Sequence, residues 1–281
     1  MSDAKNIIMC GHPVGTLIEV AIKNGKYSVK ERKQIPIEEL KQGDYISSYN
    51  FSDSAVYTKE LTSCTLQHYS GKLFNIEVND SRIACTPTHK CLVRYRDISR
   101  DYCVYVMRKG TAFRVGMSKI WHTDNGCGPY KRLLDEGGDE LWILQTFADR
   151  RDALLEECKV SIKFRLPQAM FKFKESRGSW TQSEFDYVWS EVSNKEDAEA
   201  ALTYYGRDIN YPYFNRSKKH TSIKRPHTVL ACNLLDNSEM MTRDKQWVNI
   251  KYSIENYTGD IVALSFDSNE TYYSNNILTS S

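Results

Sequence analysis

A threonine and a histidine stand three residues apart in Thr86-Pro87-Thr88-His89, directly after a short apolar stretch at residues 83–85. An imidazole has an unperturbed pKa of about 6.5, so it can give or accept a proton near neutral pH. The hydroxyl of Thr86 can hydrogen-bond a nearby backbone group. By themselves these residues also fit a surface histidine beside a turn proline and an ordinary strand threonine. Their meaning depends on the elements that position them.

Both ends of the sequence are predicted to be rich in β-strands. Short apolar runs with β-branched residues or period-two alternation indicate strands at residues 15–20, 45–49, 73–78, 90–95, 228–231, 247–250, 259–266 and 272–278. Glycine, aspartate and asparagine interrupt these runs. Many short strands of this kind indicate a mainly β structure with long-range pairing.

A mixed segment separates the two β-rich regions. Residues 103–107 and 112–116 are strand-like, and the four residues between them predict a hairpin. Helices are predicted over residues 149–161, over residues 181–192, and from Asn194 onward. We therefore predict a discontinuous β domain of residues 10–100 and 226–281, an inserted α+β domain of residues 101–215, and a basic linker over residues 216–225.

The composition excludes several classes of protein. Lys plus Arg is 38 and Asp plus Glu is 36, so the net charge of +2 gives no global reason to expect nucleic acid or an anionic membrane. No stretch approaches the roughly 18 apolar residues of a membrane span, and the first ten residues lack the apolar run of a signal peptide. None of the eight cysteines forms a CxxC pair, which argues against a zinc knuckle. A cytoplasmic protein with reduced thiols and no membrane partner is expected.

Three parts of the β-rich regions resemble inteins, the self-splicing elements with a horseshoe-like Hint fold. The segment Gly11-His12-Pro13-Val14-Gly15-Thr16-Leu17-Ile18 is close to the opening of the family, and residues 37–46 are typical of the family's next segment. Thr86-Pro87-Thr88-His89 matches the Thr-x-x-His segment of the family. Residues 257–266 and 272–281 resemble its closing strands. The resemblance covers roughly residues 10–100 and 226–281 and implies a mainly β Hint domain.

The resemblance also implies a chemistry. Splicing begins when a side-chain nucleophile attacks the preceding carbonyl and exchanges an amide for a thioester. By analogy, His89 would protonate the leaving nitrogen, and Thr86 would hold the scissile peptide. No cofactor is implied for splicing. The partners would be the host protein segments on either side, the exteins.

The terminal positions depart from the family pattern. The usual spacing back from Thr16 places Gly11, which has no nucleophile, at the nucleophile position. Cys10 serves if the turn carries one extra residue, or it is the flanking host residue. At the other end, Ser280 and Ser281 occupy the positions of the closing His-Asn pair. Serine cannot form the succinimide that asparagine forms, so the chain is expected not to splice as written.

The inserted segment resembles the GIY-YIG homing nucleases. Cys103-Val104-Tyr105 and Arg114-Val115-Gly116 have the spacing of the two family strands, with Cys103 in place of the first glycine and Arg114 in place of the second tyrosine. The resemblance implies Tyr105 as the base, Arg132 as the phosphate-binding cation, and Glu156, after Ala153, as the ligand of a metal such as Mg²⁺. The alternative is a hairpin and an amphipathic helix whose Glu156 is solvated.

Two further interpretations stay open. Residues 216–225 contain five basic residues and no acid, which fits either a solvated linker or a contact with the backbone of double-stranded DNA. In the second case the chain is a DNA-binding or structure-specific nuclease that a β domain frames. A third interpretation is a non-catalytic interaction module derived from a Hint domain.

Overall fold

The computed structural model describes residues 10–24, 28–95, 101–121, 127–172, 181–218, 225–236, 238–267 and 271–281. The chain divides into two compact units. The first, called the split unit here, contains the described residues up to Arg94 and those from Pro226 to Ser281. The second, called the inserted unit, contains those from Tyr95 to Arg225. The split unit is thus discontinuous in sequence, with Tyr95–Arg225 between its two parts.

The split unit is made of strands, and the inserted unit combines strands with helices. The elements in chain order are β1 His12–Pro13, β2 Leu17–Lys23, β3 Val29–Pro36, β4 Tyr45–Asn50, β5 Ala55–Glu60, β6 Ser63–Val78, β7 Ser81–Cys85, β8 Lys90–Arg94, β9 Tyr102–Lys109, β10 Ala112–Lys119, α1 Gly128–Asp135, β11 Glu140–Phe147, α2 Arg150–Phe164, α3 Gln182–Ser190, α4 Lys195–Tyr204, β12 Phe214–Asn215, β13 His227–Leu230, β14 Glu239–Met241, β15 Trp247–Asn249, β16 Lys251–Ser265, β17 Thr271–Ser274 and β18 Ile277–Ser280. The fold is mainly β, as predicted.

The sheets of the split unit bring both ends of the chain together. Their strand orders are β1-β16-β6-β7, β13-β8-β14-β15 and β18-β17-β2-β4-β5, with β3 paired to β2. In the first sheet, His12 pairs with Val262, while the His12 side chain reaches Ala84 of β7. In the last sheet, Tyr272 pairs with Thr279. The N-terminal segment and the last strand therefore approach the turn between β7 and β8.

An apolar cluster holds these sheets together. Ile18, Ile37 and Ile46 are fully buried, and Val262 and Tyr272 pack with them. At roughly 25 cal/mol per Å² of buried apolar surface, side chains of this size each contribute about 2 kcal/mol. Residues 10 and 11 thus come just before well-packed strands, which fix their position.

The inserted unit confirms the predicted hairpin and helices. β9 and β10 pair from Ala112 with Lys109 onward, and Gly110 takes the left-handed φ of +59° that the tight turn requires. The Asp149 side chain caps α2, and Thr181 forms a capping box with Glu184 at α3. α1 was not predicted.

The sheet of the inserted unit has the order β10-β9-β11-β12. Val104 and Val106 lie in a core with Trp142, Ala153 of α2 and Ala198 of α4. The two valines therefore lie under helices. Among the described residues, no helix is both long and apolar enough to cross a membrane.

Candidate active site of the split unit

The turn that precedes His89 is tied to the N-terminal segment by a reciprocal pair of hydrogen bonds. The backbone N–H of Gly11 donates to Thr86 Oγ1 at 3.1 Å, and the N–H of Thr86 donates to the Gly11 carbonyl at 3.0 Å. The N–H of His89 donates to the Thr86 carbonyl at 3.0 Å, which closes the turn. Thr86 and His89 are fully buried, so His89 is not the surface histidine that the alternative interpretation required.

The His89 ring lies between a thiol and a hydroxyl that come from opposite ends of the chain. Its Nδ1 is 3.1 Å from Cys10 Sγ, and its Nε2 is 2.6 Å from Thr279 Oγ1. Thr279 Oγ1 donates its own proton to the Lys90 carbonyl at 3.0 Å. Because that hydroxyl proton is already donated to Lys90, the Thr279 oxygen accepts a hydrogen bond from His89 Nε2–H. The lone pair of His89 therefore lies on Nδ1 and faces Cys10.

Burial keeps both partners of this contact neutral. It raises the pKa of the Cys10 thiol to about 11, against the opposing influence of the Lys90 N–H, which donates to the sulfur. It also holds the pKa of His89 well below its ordinary value, with further lowering by His12 and the Lys90 ammonium. At neutral pH a protonated thiol therefore donates to a neutral imidazole.

Position 11 has no room for a side chain. A Cβ atom at Gly11 would stand 2.9 Å from the carbonyl oxygen of Val262 and 3.3 Å from Ile261. Real Cβ atoms essentially never come this close to a backbone oxygen. Of the two positions that the sequence left open for a nucleophile, Cys10 has its sulfur on His89, and Gly11 is held by close packing against β16.

The C-terminal end reaches the same site through Lys90. The Lys90 ammonium donates to the Ser281 carbonyl at 2.8 Å. Ser280, which pairs with Thr271, is buried. Contacts thus link five of the six predicted residues of this site, which are Cys10, Gly11, Thr86, His89 and, through Lys90, Ser281. Their catalytic roles stay predictions.

Four contributors to this site were not predicted from the sequence. They are His12, Lys90, Tyr272 and Thr279. His12 is fully buried, with its ring centroid 4.3 Å from that of His89. Its place beside Gly11 in the opening segment was the one available signal. Thr279 gives none, because only the pairing of β17 with β18 directs it toward His89.

The predicted nuclease residues of the inserted unit are arranged differently from the expectation. Tyr105, the predicted base, is only 1% exposed. Its hydroxyl accepts from Arg114 Nη2 at 2.9 Å. Arg114 also pairs with Glu136 through two contacts of 2.9 and 3.0 Å, and both side chains are buried. Burial also raises the pKa of the Tyr105 hydroxyl. The phenolate that would act as a base is therefore disfavoured.

The contacts of Glu156 and Arg132 differ from those expected of a metal ligand and a phosphate-binding cation. Glu156 accepts from Tyr205 Oη and from Lys159 Nζ, the latter at 3.0 Å. Arg132 Nη1 lies 3.7 Å from the sulfur of Met170. The neighbouring Glu157 interacts electrostatically with Arg132: burial raises the pKa of Glu157, while Arg114, the Met117 N–H and Arg132 lower it.

The described residues contain no group of three His, Cys, Asp or Glu side chains arranged to hold a metal ion. The described part of the basic segment begins with Arg216, which donates to the Gly137 carbonyl at 3.2 Å and pairs with Asp139 at 3.3 Å. Residues 219–224, which carry much of the predicted DNA contact, lie outside the described residues.

Comparison with known proteins gives structural likeness at low identity. The chain is similar to a bacterial intein-like domain from Clostridium thermocellum, with 9% identity, a TM-score of 0.42, and 96% of this chain and 98% of that chain covered. It is also similar to an Ssp DnaB mini-intein variant, with 9% identity, a TM-score of 0.41, and 97% and 94% of the two chains covered. No family model matches the sequence, and no curated protein matches it.

Proposed function

We propose that the split unit is an intein-like autoprocessing element in which Cys10 attacks the carbonyl of the residue before it. The observation that carries the proposal is the contact of Cys10 Sγ with His89 Nδ1, on a ring whose other nitrogen is held by Thr279. One imidazole therefore adjoins both ends of the described chain. Neither contact is explained by a role of His89 in packing alone.

The first step is an acyl shift from nitrogen to sulfur. His89 Nδ1 takes the thiol proton as the sulfur attacks the preceding carbonyl carbon, and the C–S bond forms. The same Nδ1–H then gives the proton to the Cys10 nitrogen as the C–N bond breaks. A thioester and a free amine result, with no net change in protons. His89 thus acts first as base and then as acid.

Two neighbours assist this step. The Lys90 N–H that donates to the Cys10 sulfur stabilises the developing thiolate. The reciprocal hydrogen bonds between Thr86 and Gly11 fix the backbone that carries the nucleophile. Removing Thr86 should therefore slow the step by misplacing Cys10, without removing any proton-transfer group.

In the last step of splicing an asparagine side chain usually cyclises, and position 281 holds a serine instead. Ser281 has no side-chain amide and cannot cyclise to release the downstream segment. We propose that the chain as written forms the N-terminal thioester and releases the upstream extein to an added thiol, but does not ligate its flanks. The host protein segments are its partners, and this chemistry uses no cofactor.

The test is a fusion of a reporter domain to the N-terminal side of this sequence, incubated with dithiothreitol. Thiol-dependent release of the reporter is expected, and Cys10→Ser should abolish the thioester. Cys158→Ser, at an exposed cysteine, is the matched control and should release normally. A folded fusion that releases no reporter would contradict the proposal and favour the non-catalytic interaction module.

For the inserted unit we propose a GIY-YIG-related DNA-binding role, in which Arg132 and Glu157, which interact electrostatically, would serve as the phosphate-binding cation and the metal-binding acid. The test is nicking of double-stranded DNA with Mg²⁺ or Mn²⁺. If the unit is a nuclease, Glu157→Ala should abolish nicking and Glu156→Ala should not. Absence of nicking, together with DNA binding that Arg132→Gln does not weaken, would contradict this role.

A further inference from the structure

His12 is a second buried histidine in the site, and its contacts assign its protons. Its Nδ1 lies 2.8 Å from the Ala84 carbonyl, and its Nε2 lies 2.9 Å from Tyr272 Oη. A carbonyl can only accept, so Nδ1 carries the proton. Nε2 then accepts from the Tyr272 hydroxyl. Both nitrogens of His12 are therefore occupied, and His12 cannot exchange a proton with Cys10.

The His12 ring covers one side of His89. The two ring centroids are 4.3 Å apart with the planes tilted by 56°, and both residues are fully buried. The Tyr272 ring lies 6.0 Å from His12 and 6.4 Å from His89. Water is thereby excluded from the imidazole faces, and a charge on either ring disfavours a charge on the other.

The other titratable groups around this pair do not supply a negative charge at neutral pH. The Lys90 ammonium disfavours a cationic His89. The thiols of Cys10 and Cys85 act electrostatically on the Tyr272 hydroxyl, and burial raises the pKa of that hydroxyl well above its ordinary value. No group described around His89 therefore favours its imidazolium form.

We infer that His12 and Tyr272 are positioning residues that keep His89 neutral, with the Nδ1 lone pair directed at the Cys10 thiol. His12 does so by linking β1 to β7 and β17 and by filling the space beside the ring. The inference rests on the proposed function for its catalytic meaning, because it explains how a base is maintained in a buried site. The protonation state of His89 can be measured without any reaction.

The inference predicts a change in pH dependence. While His12 is present, His89 stays neutral from neutral to mildly acidic pH, and thioester formation keeps its rate there. In His12→Ala, a cavity opens beside the ring and water can solvate a charged His89. The acidic limb of the rate profile should then move up by about one pH unit.

Substitution of His12 by phenylalanine separates the packing of its ring against His89 from its two hydrogen bonds. His12→Phe keeps a ring against His89 but loses both hydrogen bonds. Its acidic limb should stay in place, while its plateau rate falls roughly ten- to hundredfold because Cys10 and His89 lose alignment. Tyr272→Phe removes one hydrogen bond and keeps every ring, so it should show a smaller loss of rate with the same limb.

The test combines NMR titration of His89 with the release assay. The titration uses ¹⁵N-histidine-labelled protein with Cys10→Ser, which keeps a hydrogen-bond donor and stops the thiol chemistry. His89 should show the Nε2–H tautomer, and its midpoint should rise in His12→Ala but not in His12→Phe. Folding of each variant is checked from the amide signals of strands β4 and β5.

The outcomes separate this inference from the proposed function. Unchanged midpoint, tautomer and rate profile in folded His12→Ala and His12→Phe would overturn the inference, even if the reporter is released. A wild-type protein that releases no reporter but shows the predicted His89 titration would overturn the proposed function and leave the structural role of His12 supported.

Discussion

His89 Nε2 lies 2.6 Å from Thr279 Oγ1, and the same oxygen donates to the Lys90 carbonyl at 3.0 Å. A residue close to the end of the sequence thus decides which nitrogen of His89 carries its proton. This places the lone pair on Nδ1, toward Cys10. Strand β18 is therefore part of the site that would act at the peptide bond before Cys10.

Thr279→Val is expected to slow thioester formation about tenfold. The hydroxyl that accepts from Nε2–H is lost, so the other tautomer, with its proton toward Cys10, becomes populated. Thr279→Ser should keep most of the rate because it keeps the hydroxyl. Rates are measured by reporter release at about pH 7.5, where an unperturbed imidazole is neutral. Equal rates in the valine and serine variants would contradict the role of this hydrogen bond.

Ligation should be recovered by restoring the missing amide. Ser281→Asn, with a cysteine or serine placed after it in a host sequence, is expected to yield ligated extein, detectable by mass spectrometry. His89→Ala in this background should slow thioester formation roughly 10²- to 10⁴-fold, the usual size of a proton-transfer contribution. Undiminished thioester formation without His89 would remove its proposed role.

Gly11→Cys tests whether position 10 or position 11 is the nucleophile position. The new Cβ would approach the Val262 carbonyl to 2.9 Å, so β1 must shift and the split unit should lose about 1–3 kcal/mol of stability. Thiol-dependent release should fall. Faster release, together with loss of dependence on Cys10, would show that position 11 is the true junction.

The split unit should lose stability in acid. Burial lowers the pKa of His12 from 6.5 to about 4, so the unfolded chain binds more protons between these values. Stability from this group is present above pH 6.5 and is lost as the pH falls toward 4, by about 3 kcal/mol in all. Urea unfolding at several pH values measures it. His12→Phe should flatten this dependence, and an equally steep profile in that variant would contradict it.

The inserted unit should depend strongly on its buried ion pair. Glu136→Ala leaves the Arg114 guanidinium buried without its carboxylate, which is expected to cost about 3–5 kcal/mol. Arg114→Met with Glu136→Leu removes both charges and should cost much less. Glu156→Ala is the control, because its partner Lys159 is largely exposed. The measurement is thermal or urea unfolding, and a Glu136→Ala protein as stable as the control would be the contrary result.

Local patterns in the sequence were sufficient for most elements. The hairpin at residues 109–112 and the helix starts near Asp149 and Thr181 depend on neighbouring residues, and they were predicted correctly. α1 was missed because Gly128 and Pro129 at its start are more typical of turns than of helices. Proline is nevertheless tolerated in the first turn, where its missing N–H leaves no hydrogen bond broken.

The sequence by itself determined the mainly β character, and it singled out Thr86 and His89 as candidates whose roles stay predictions. Each depends on residue types within a short window. Only the tertiary structure decided the rest. Close approach of β16 leaves no space for a side chain at Gly11, and the pairing of β17 with β18 brings Thr279 to His89. These contacts join residues far apart in the chain, so no local spacing can encode them. The same is true of the buried Tyr105, whose hydroxyl accepts from Arg114, the partner of Glu136.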